Sequence, residues 1–125
     1  MKIVVSFCLI TVLFFSPASH KSVYAAGYAD ASSICLLVKE NNKKRLRKLL
    51  KELHLKIKVL YSSVKCNGVN LVQFAMQHNA GKVGKFLVKK IPASALKKNG
   101  DLDWANANGH GDSEVTKALI ARVGG

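Results

Sequence analysis

Beyond residue 25, the side chains that could do chemistry include two cysteines and three histidines spread along the chain. Cys35 and Cys66 could pair in a disulfide, bind a metal or supply a thiolate nucleophile. A metal site needs clustered ligands, and His54, His78 and His110 show no metal-ligand spacing to the cysteines. The sequence therefore predicts neither a metal nor any other cofactor.

The acidic residues near the C-terminus form a second group. Helix capping accounts for them, whereas hydrolysis would need paired carboxylates with shifted pKa values. No nucleophile and base stand in a recognisable arrangement elsewhere. We therefore predict that the protein is not an enzyme, and a small hydrolase is the alternative. The four acids are Asp101, Asp103, Asp112 and Glu114.

The strongest chemical signal is a run of positive charge. Between Lys39 and Lys65, ten basic residues stand against two acidic ones. Charges this dense repel one another unless a partner offsets them, which favours a surface that binds an anionic partner. The alternative is a helix face that is only solvated. The candidate binding residues lie on one predicted helix and are Lys43, Lys44, Arg45, Arg47, Lys48 and Lys51.

The candidate partners are an acidic protein and an anionic component of the cell envelope. Nucleic acid is the weakest candidate, because base stacking needs exposed aromatic side chains beside the basic ones and only Tyr61 is close in sequence. The competing function is a structural or stress-related envelope protein without a dedicated ligand.

The N-terminal segment has the pattern of a secretory signal peptide over residues 1–25. A short basic start precedes an apolar run, Ile3–Phe15, which is too short to span a bilayer comfortably. Val23 and Ala25 suit the −3 and −1 positions of a cleavage site before Ala26. We expect an exported protein with no membrane span after cleavage. The alternative is an uncleaved anchor.

Export bears directly on the two cysteines. An even number of cysteines in a small exported domain favours a disulfide, and a catalytic thiol there would need protection from pairing. Cys35 and Cys66 stand at similar places in consecutive predicted helical units, so stacking of the units would bring them together. In the chain-entropy view such a bond contributes roughly 3–4 kcal/mol.

Short helices are predicted to position these residues. Leu71, Val72, Ala75 and Met76 form one helical face, and Asn70 precedes them as an N-cap. A polar turn and a second apolar face follow, which makes a helix-turn-helix unit. Neither helix is long enough to be stable alone, so each must bury its apolar face against a neighbour.

This unit resembles an ankyrin repeat, and two weaker copies flank it. The pairs Leu49-Leu50, Phe86-Leu87 and Leu119-Ile120 recur after 37 and 33 residues, close to the ankyrin period of about 33. The usual Thr-Pro-Leu-His tetrapeptide is missing from all three copies, so the array is degenerate. The predicted fold is all-α: about three stacked helix-turn-helix units in one domain over residues 26–125, held by one disulfide. A short extended segment is predicted at Leu55–Val59.

Caps and aromatic residues complete the expected units. Ser32-Ser33 is predicted to cap the first helix, and Asp101 or Asp103 the helix that carries Trp104. We expect Trp104 to pack on the preceding unit, with a ligand-contacting ring as the alternative. His110 is predicted to make structural hydrogen bonds at a turn, as His does at that point of ankyrin units.

Seven short elements of the sequence carry a further resemblance. They are Ile34-Cys35, the run Lys43–Lys48, Cys66-Asn67-Gly68, Phe74-Ala75-Met76, Gly100-Asp101-Leu102, Trp104-Ala105 and Asn108–Asp112. Together they resemble a family of small exported proteobacterial proteins catalogued as domain of unknown function 3718, and the resemblance spans about Ser33 to Ile120. It implies a Gram-negative periplasm and offers no activity to carry over.

Overall fold

The computed structural model describes residues 23–124, and side chains from residue 31 onward. Eight helices and no strand lie within this range, so the predicted all-α class is confirmed. The signal peptide predicted over residues 1–25 lies almost entirely outside the described residues and stays a prediction. The helices are α1 (Val23–Lys39), α2 (Lys43–Glu52), α3 (Ile57–Ser63), α4 (Leu71–Gln77), α5 (Gly81–Lys90), α6 (Ala93–Asn99), α7 (Asp101–Ala107) and α8 (Glu114–Val123).

The helices pair into three hairpins. α1 packs on α2, α4 on α5 and α7 on α8, while the short helices α3 and α6 connect one hairpin to the next. α5 connects the second hairpin to the other two, because it packs against α2 and α8 as well as against its own partner α4. The three predicted helix-turn-helix units are therefore confirmed.

All three hairpins turn in the same way. A residue with positive φ ends the first helix, namely Asn41 (57°), Asn79 (51°) and Gly109 (79°). The next N–H then donates to the carbonyl five residues back: Asn42 to Leu37, Ala80 to Ala75 and His110 to Ala105. This is the Schellman helix end, which needs residues that tolerate a left-handed backbone. The repeat is thus present in the backbone geometry as well as in the apolar pattern.

The predicted extended segment at Leu55–Val59 is wrong. Lys56 has extended backbone angles, with φ −102° and ψ 134°, but α3 begins at the next residue. Val59 is 56 % exposed, so apolar residues do not alternate into the core as a strand would require. The buried positions instead have helical spacing, which the β-branched alternation obscured. They are Ile57, Leu60, Tyr61 and Val64.

One helix boundary also differs from the predicted one. α1 contains Ser32 and Ser33 in its interior, because the helix begins well before them. α6 begins directly after Pro92 and ends at Gly100, which has a φ of 65°. The Gly100 N–H then donates to the carbonyl of Lys97.

One disulfide and one buried cluster hold the hairpins together. Cys35 in α1 is bonded to Cys66, just before α4, with 5.7 Å between their Cα atoms. The predicted pairing is therefore confirmed. Buried apolar side chains from Ile34 in α1 to Leu119 in α8 form one contiguous core.

Candidate anion-binding groove

Helix α2 turns its basic residues outward because the core takes its apolar ones. Leu46 and Leu50 are 1 % and 7 % exposed, whereas the six predicted binding residues are all exposed. The helix starts at a fixed point, since the side-chain oxygen of Asn42 accepts a hydrogen bond from the Arg45 N–H at 3.1 Å. α2 therefore presents a dense set of cations on a well-anchored element.

A groove of about 760 Å³ lies between α2 and the start of α5. It brings together five of the six predicted residues and adds one lysine from α5. Arg45 does not join them, because it lies in a separate hollow between α1 and α2, beside Leu36. The cations of this basic groove are Lys43, Lys44, Arg47, Lys48, Lys51 and Lys82.

A contact between two hairpins borders the groove, at Asn41 and Lys82 of its lining. The side-chain oxygen of Asn41, in the first turn, accepts a hydrogen bond from the backbone N–H of Val83 at 3.0 Å. Because Val83 follows Lys82, this bond holds the lysine beside α2. The sequence contains a weak signal that Lys82 belongs to a basic face. Lys82, Phe86 and Lys90 recur every four residues and so lie on one side of α5.

Phe86 lies beneath two of the groove cations. The Nζ atom of Lys43 lies 5.8 Å from the centre of the Phe86 ring, and the Cζ atom of Arg47 lies 6.0 Å from it. Both distances are within the range of cation–π attraction. The ring thus contacts two charged residues that both remain exposed.

One acidic residue, Glu40, also lines the basic groove, but ion pairs neutralise few of the cations. Within the described part of the chain, two ion pairs have an N···O distance of 4.0 Å or less. Lys48 pairs with Glu52 at 3.8 Å, and both side chains are largely exposed. The other pair joins Lys85 to Glu114 at 3.1 Å, and neither residue lines the groove. The remaining groove cations therefore face solvent without a paired carboxylate among residues 31–124.

The acids of the C-terminal group have different surroundings, since Asp101 is buried while Asp103, Asp112 and Glu114 are exposed. Among residues 31–124, no three His, Cys, Asp or Glu side chains come close enough to hold a metal ion. Asp101 was predicted as a cap, but it is the first residue of α7 and is fully buried. Ser113 is the residue that caps α8, by accepting a hydrogen bond from the Thr116 N–H at 3.0 Å.

Asp101 instead ties α7 to α3 and α4. Its carboxylate accepts hydrogen bonds from the Tyr61 hydroxyl, from Asn70 Nδ2 at 2.8 Å and from Gln73 Nε2 at 3.0 Å. Burial, followed by the hydrogen bond to Asp101, raises the pKa of Tyr61 well above its usual value. No buried side-chain polar atom in the described residues lacks a partner, so this cluster is a satisfied structural network.

Asn70 takes part in both this network and a helix cap. Its side-chain oxygen accepts from the Gln73 N–H at 2.9 Å, and Gln73 Oε1 accepts from the Asn70 N–H at 3.3 Å. This reciprocal pair is a capping box, and it confirms the predicted N-cap of α4. The cap leaves Asn70 Nδ2 available to Asp101, so one residue fixes both a helix start and an inter-helix contact.

Trp104 packs against the core and stacks on His110. The two rings are 5.5 Å apart and inclined by 10°. His110 has a structural role through its backbone, as its carbonyl accepts from the Thr116 hydroxyl at 2.7 Å. Both residues therefore stabilise the third hairpin, and neither lines the basic groove.

Comparison with protein-family models gives one match, over residues 34–98, to the family described as Protein of unknown function (DUF3718). This chain belongs to that family. The DUF3718 match contains both cysteines and every cation of the basic groove, whereas Asp101, Trp104 and His110 lie beyond it. Comparison with curated proteins and with solved structures gave no match. The likeness to ankyrin repeats and the proteobacterial origin therefore stay predictions.

Proposed function

We propose that this DUF3718 protein is an exported, non-catalytic module that holds an anionic partner in its basic groove. The observation that carries the proposal is the convergence of six cations from α2 and α5, of which Lys48 alone has a carboxylate within 4.0 Å among the described residues. An excess of one sign of charge in a concave surface, here six cations against Glu40, raises the local concentration of counter-ions and of charged ligands. An anionic partner would also relieve their mutual repulsion.

The compartment we propose is the bacterial periplasm. Support comes from the signal-peptide pattern at residues 1–25 and from the Cys35–Cys66 disulfide, which persists in oxidising compartments. No helix within residues 23–124 has the length and apolar character that a membrane span needs.

The proposed partner is an anionic envelope component, and an acidic protein is the alternative. Nucleic acid remains the weakest candidate, because its bases need aromatic platforms. Tyr61 is buried, and Phe86 is half-buried beneath Lys43 and Arg47. The groove thus offers charge and few stacking surfaces.

A pull-down from envelope extract tests this proposal with two matched variants. The groove variant changes Lys44, Arg47, Lys51 and Lys82 to Gln, which retains most of each aliphatic stem. The control variant changes four exposed lysines outside the groove to Gln, and so has the same net charge. The control residues are Lys89, Lys97, Lys98 and Lys117.

We expect the wild type and the control variant to recover the same envelope component at low salt, and the groove variant to lose it. Moderate salt should weaken recovery, because counter-ions compete for the groove. Equal recovery by all three proteins would mean that the basic face is only solvated. A structural or stress-related envelope role without a dedicated ligand would then be the better account.

A further inference from the structure

A shallow apolar pocket of about 340 Å³ lies where α2, α3 and α5 meet. Its apolar lining consists of Leu50, Leu55, Ile57 and Phe86. Leu50 and Ile57 belong to the core, whereas Leu55 and Phe86 are only partly buried. The pocket is therefore an opening onto the core that solvent reaches.

Phe86 joins this pocket to the basic groove. One part of the ring lines the pocket, and the ring also lies under Lys43 and Arg47 of the groove. Lys82 and Lys90 stand one helical turn to either side of Phe86 on α5, the first in the groove and the second at the pocket. Charge and apolar surface thus follow one another along a single strip between α2 and α5.

Lysines also surround the apolar pocket itself. Lys56, Lys58 and Lys90 line it and are exposed, and no acidic residue is part of its lining. Within the described part of the chain, no carboxylate lies within 4.0 Å of these three lysines. An occupant that combines an apolar part with negative charge therefore matches both the lining and the lysines around it.

We infer that the ligand of this strip is a single phosphate-headed amphiphile, with the phosphate in the basic groove and the alkyl chain in the apolar pocket. This inference rests on the proposed function and names the class of its anionic partner. Arg47 and the groove lysines supply several donors to the phosphate oxygens, which favours phosphate over a singly charged head with fewer acceptors. The apolar pocket is separated from these donors by the Phe86 ring, and its size suits one alkyl chain.

The length of the ligand's alkyl chain gives the inference a quantitative test. Each methylene group buried in an apolar site strengthens binding by about fourfold. Dodecyl phosphate has four more methylene groups than octyl phosphate and the same head. If the pocket takes the chain, dodecyl phosphate binds at least ~10-fold more tightly, allowing for partial burial.

The experiment is calorimetric titration of the disulfide-bonded exported protein with four probes, of which the three amphiphiles are used below their critical micelle concentrations. Octyl and dodecyl phosphate differ only in the chain, dodecyl maltoside has the long chain without charge, and tripolyphosphate has charge without a chain. We expect one dodecyl phosphate per protein, bound at least ~10-fold more tightly than octyl phosphate or dodecyl maltoside.

Two variants test whether the alkyl chain of the ligand binds in the apolar pocket. Leu55→Gln places a polar group in the pocket lining and should abolish the advantage of the longer chain while leaving tripolyphosphate binding unchanged. Ile120→Gln changes a more exposed apolar residue on α8, outside the pocket, and should leave all four affinities unchanged. If Leu55→Gln does not fold, methyl shifts of wild-type Leu50, Leu55 and Ile57 should move with dodecyl phosphate and stay fixed with tripolyphosphate.

Equal affinities for octyl and dodecyl phosphate would overturn the inference. Binding to phosphatidylglycerol vesicles without binding to monomeric dodecyl phosphate would also overturn it, because the protein would then bind a bilayer surface and not a single amphiphile. Tripolyphosphate separates this inference from the proposed function. If tripolyphosphate binding depends on the groove but the chain adds nothing, the groove stands and only the amphiphile is wrong. If the groove variant binds tripolyphosphate as well as the wild type does, both proposals fail.

Discussion

The side chain of Asn41 accepts a hydrogen bond from the backbone N–H of Val83 at 3.0 Å, and this contact joins the first hairpin to the second at the basic groove. Asn41 also ends α1 with a φ of 57°, so one residue both turns the chain and fixes the neighbouring helix. The position of Lys82 beside α2 depends on this double role.

Substitutions of Asn41 should separate its two roles. Asn41→Gly keeps the left-handed turn and loses only the hydrogen bond, so we expect a loss of about 1 kcal/mol. Asn41→Ala also strains the backbone and should cost about 1–2 kcal/mol more. Thermal unfolding of the three proteins measures both steps. Equal stability of the Gly variant and the wild type would show that the bond to Val83 contributes nothing.

The disulfide should dominate the stability of this small domain. Replacing both Cys35 and Cys66 by Ala should lower the unfolding free energy by roughly 3–4 kcal/mol, because the unfolded chain regains a loop that the bond closes. The melting temperature should fall by at least about 10 °C. Thiol titration of the native disulfide-bonded protein should find neither cysteine free until it is denatured and reduced. Two reactive thiols would contradict the pairing.

Stability at alkaline pH should depend on Tyr61. Its pKa is raised in the folded protein, so folding keeps the hydroxyl protonated where the unfolded chain, with a pKa of about 10, would ionise. This contribution is complete below about pH 10 and is lost as the pH rises toward the folded pKa. Denaturant unfolding from pH 8 to 11 measures the loss. Tyr61→Phe should flatten the decline, and an unchanged decline would exclude Tyr61 as its source.

Two glycines of α5 should respond differently to alanine. A Cβ at Gly84 would collide with the side chain of Val115 in α8, in a tightly packed contact. Gly84→Ala should therefore destabilise the protein by about 1–3 kcal/mol despite the better helix propensity of Ala. At Gly81 the added carbon meets the carboxylate end of Glu114, which is flexible and can move away. Thermal unfolding should show Gly81→Ala to be neutral or stabilising, and equal losses at both sites would contradict this packing.

The sequence was sufficient where local signals decided the structure. Asn70 caps its helix as a polar residue ahead of an apolar face should. The two cysteines pair as predicted, although they are not equivalent positions of the hairpins, since Cys35 lies within α1 and Cys66 lies in the connection before α4. α3 was missed for a local reason as well. Ile57 fits both a strand and a helix, and the exposed Val59 distinguishes them only when burial is known.

Long-range contacts were beyond the sequence. Asp101 has the appearance of a cap next to Gly100, but its hydrogen-bond partners lie 28 to 40 residues away on other helices. Lys82 belongs to the basic groove only because Asn41 holds α5 against the first hairpin, and Arg45 leaves the groove because of its angle around α2. Charge counting along the chain contains none of this information.

The most direct test of the central claim is the affinity for tripolyphosphate of the wild type, the groove variant and the control variant at two salt concentrations. The account predicts that the control variant keeps the wild-type affinity, while the groove variant binds at least ~10-fold more weakly, since four charged contacts are lost. It also predicts a shallower salt dependence for the groove variant, because fewer counter-ions are released. Equal weakening of the two variants would mean that net charge alone attracts anions, and would contradict a binding site in the groove.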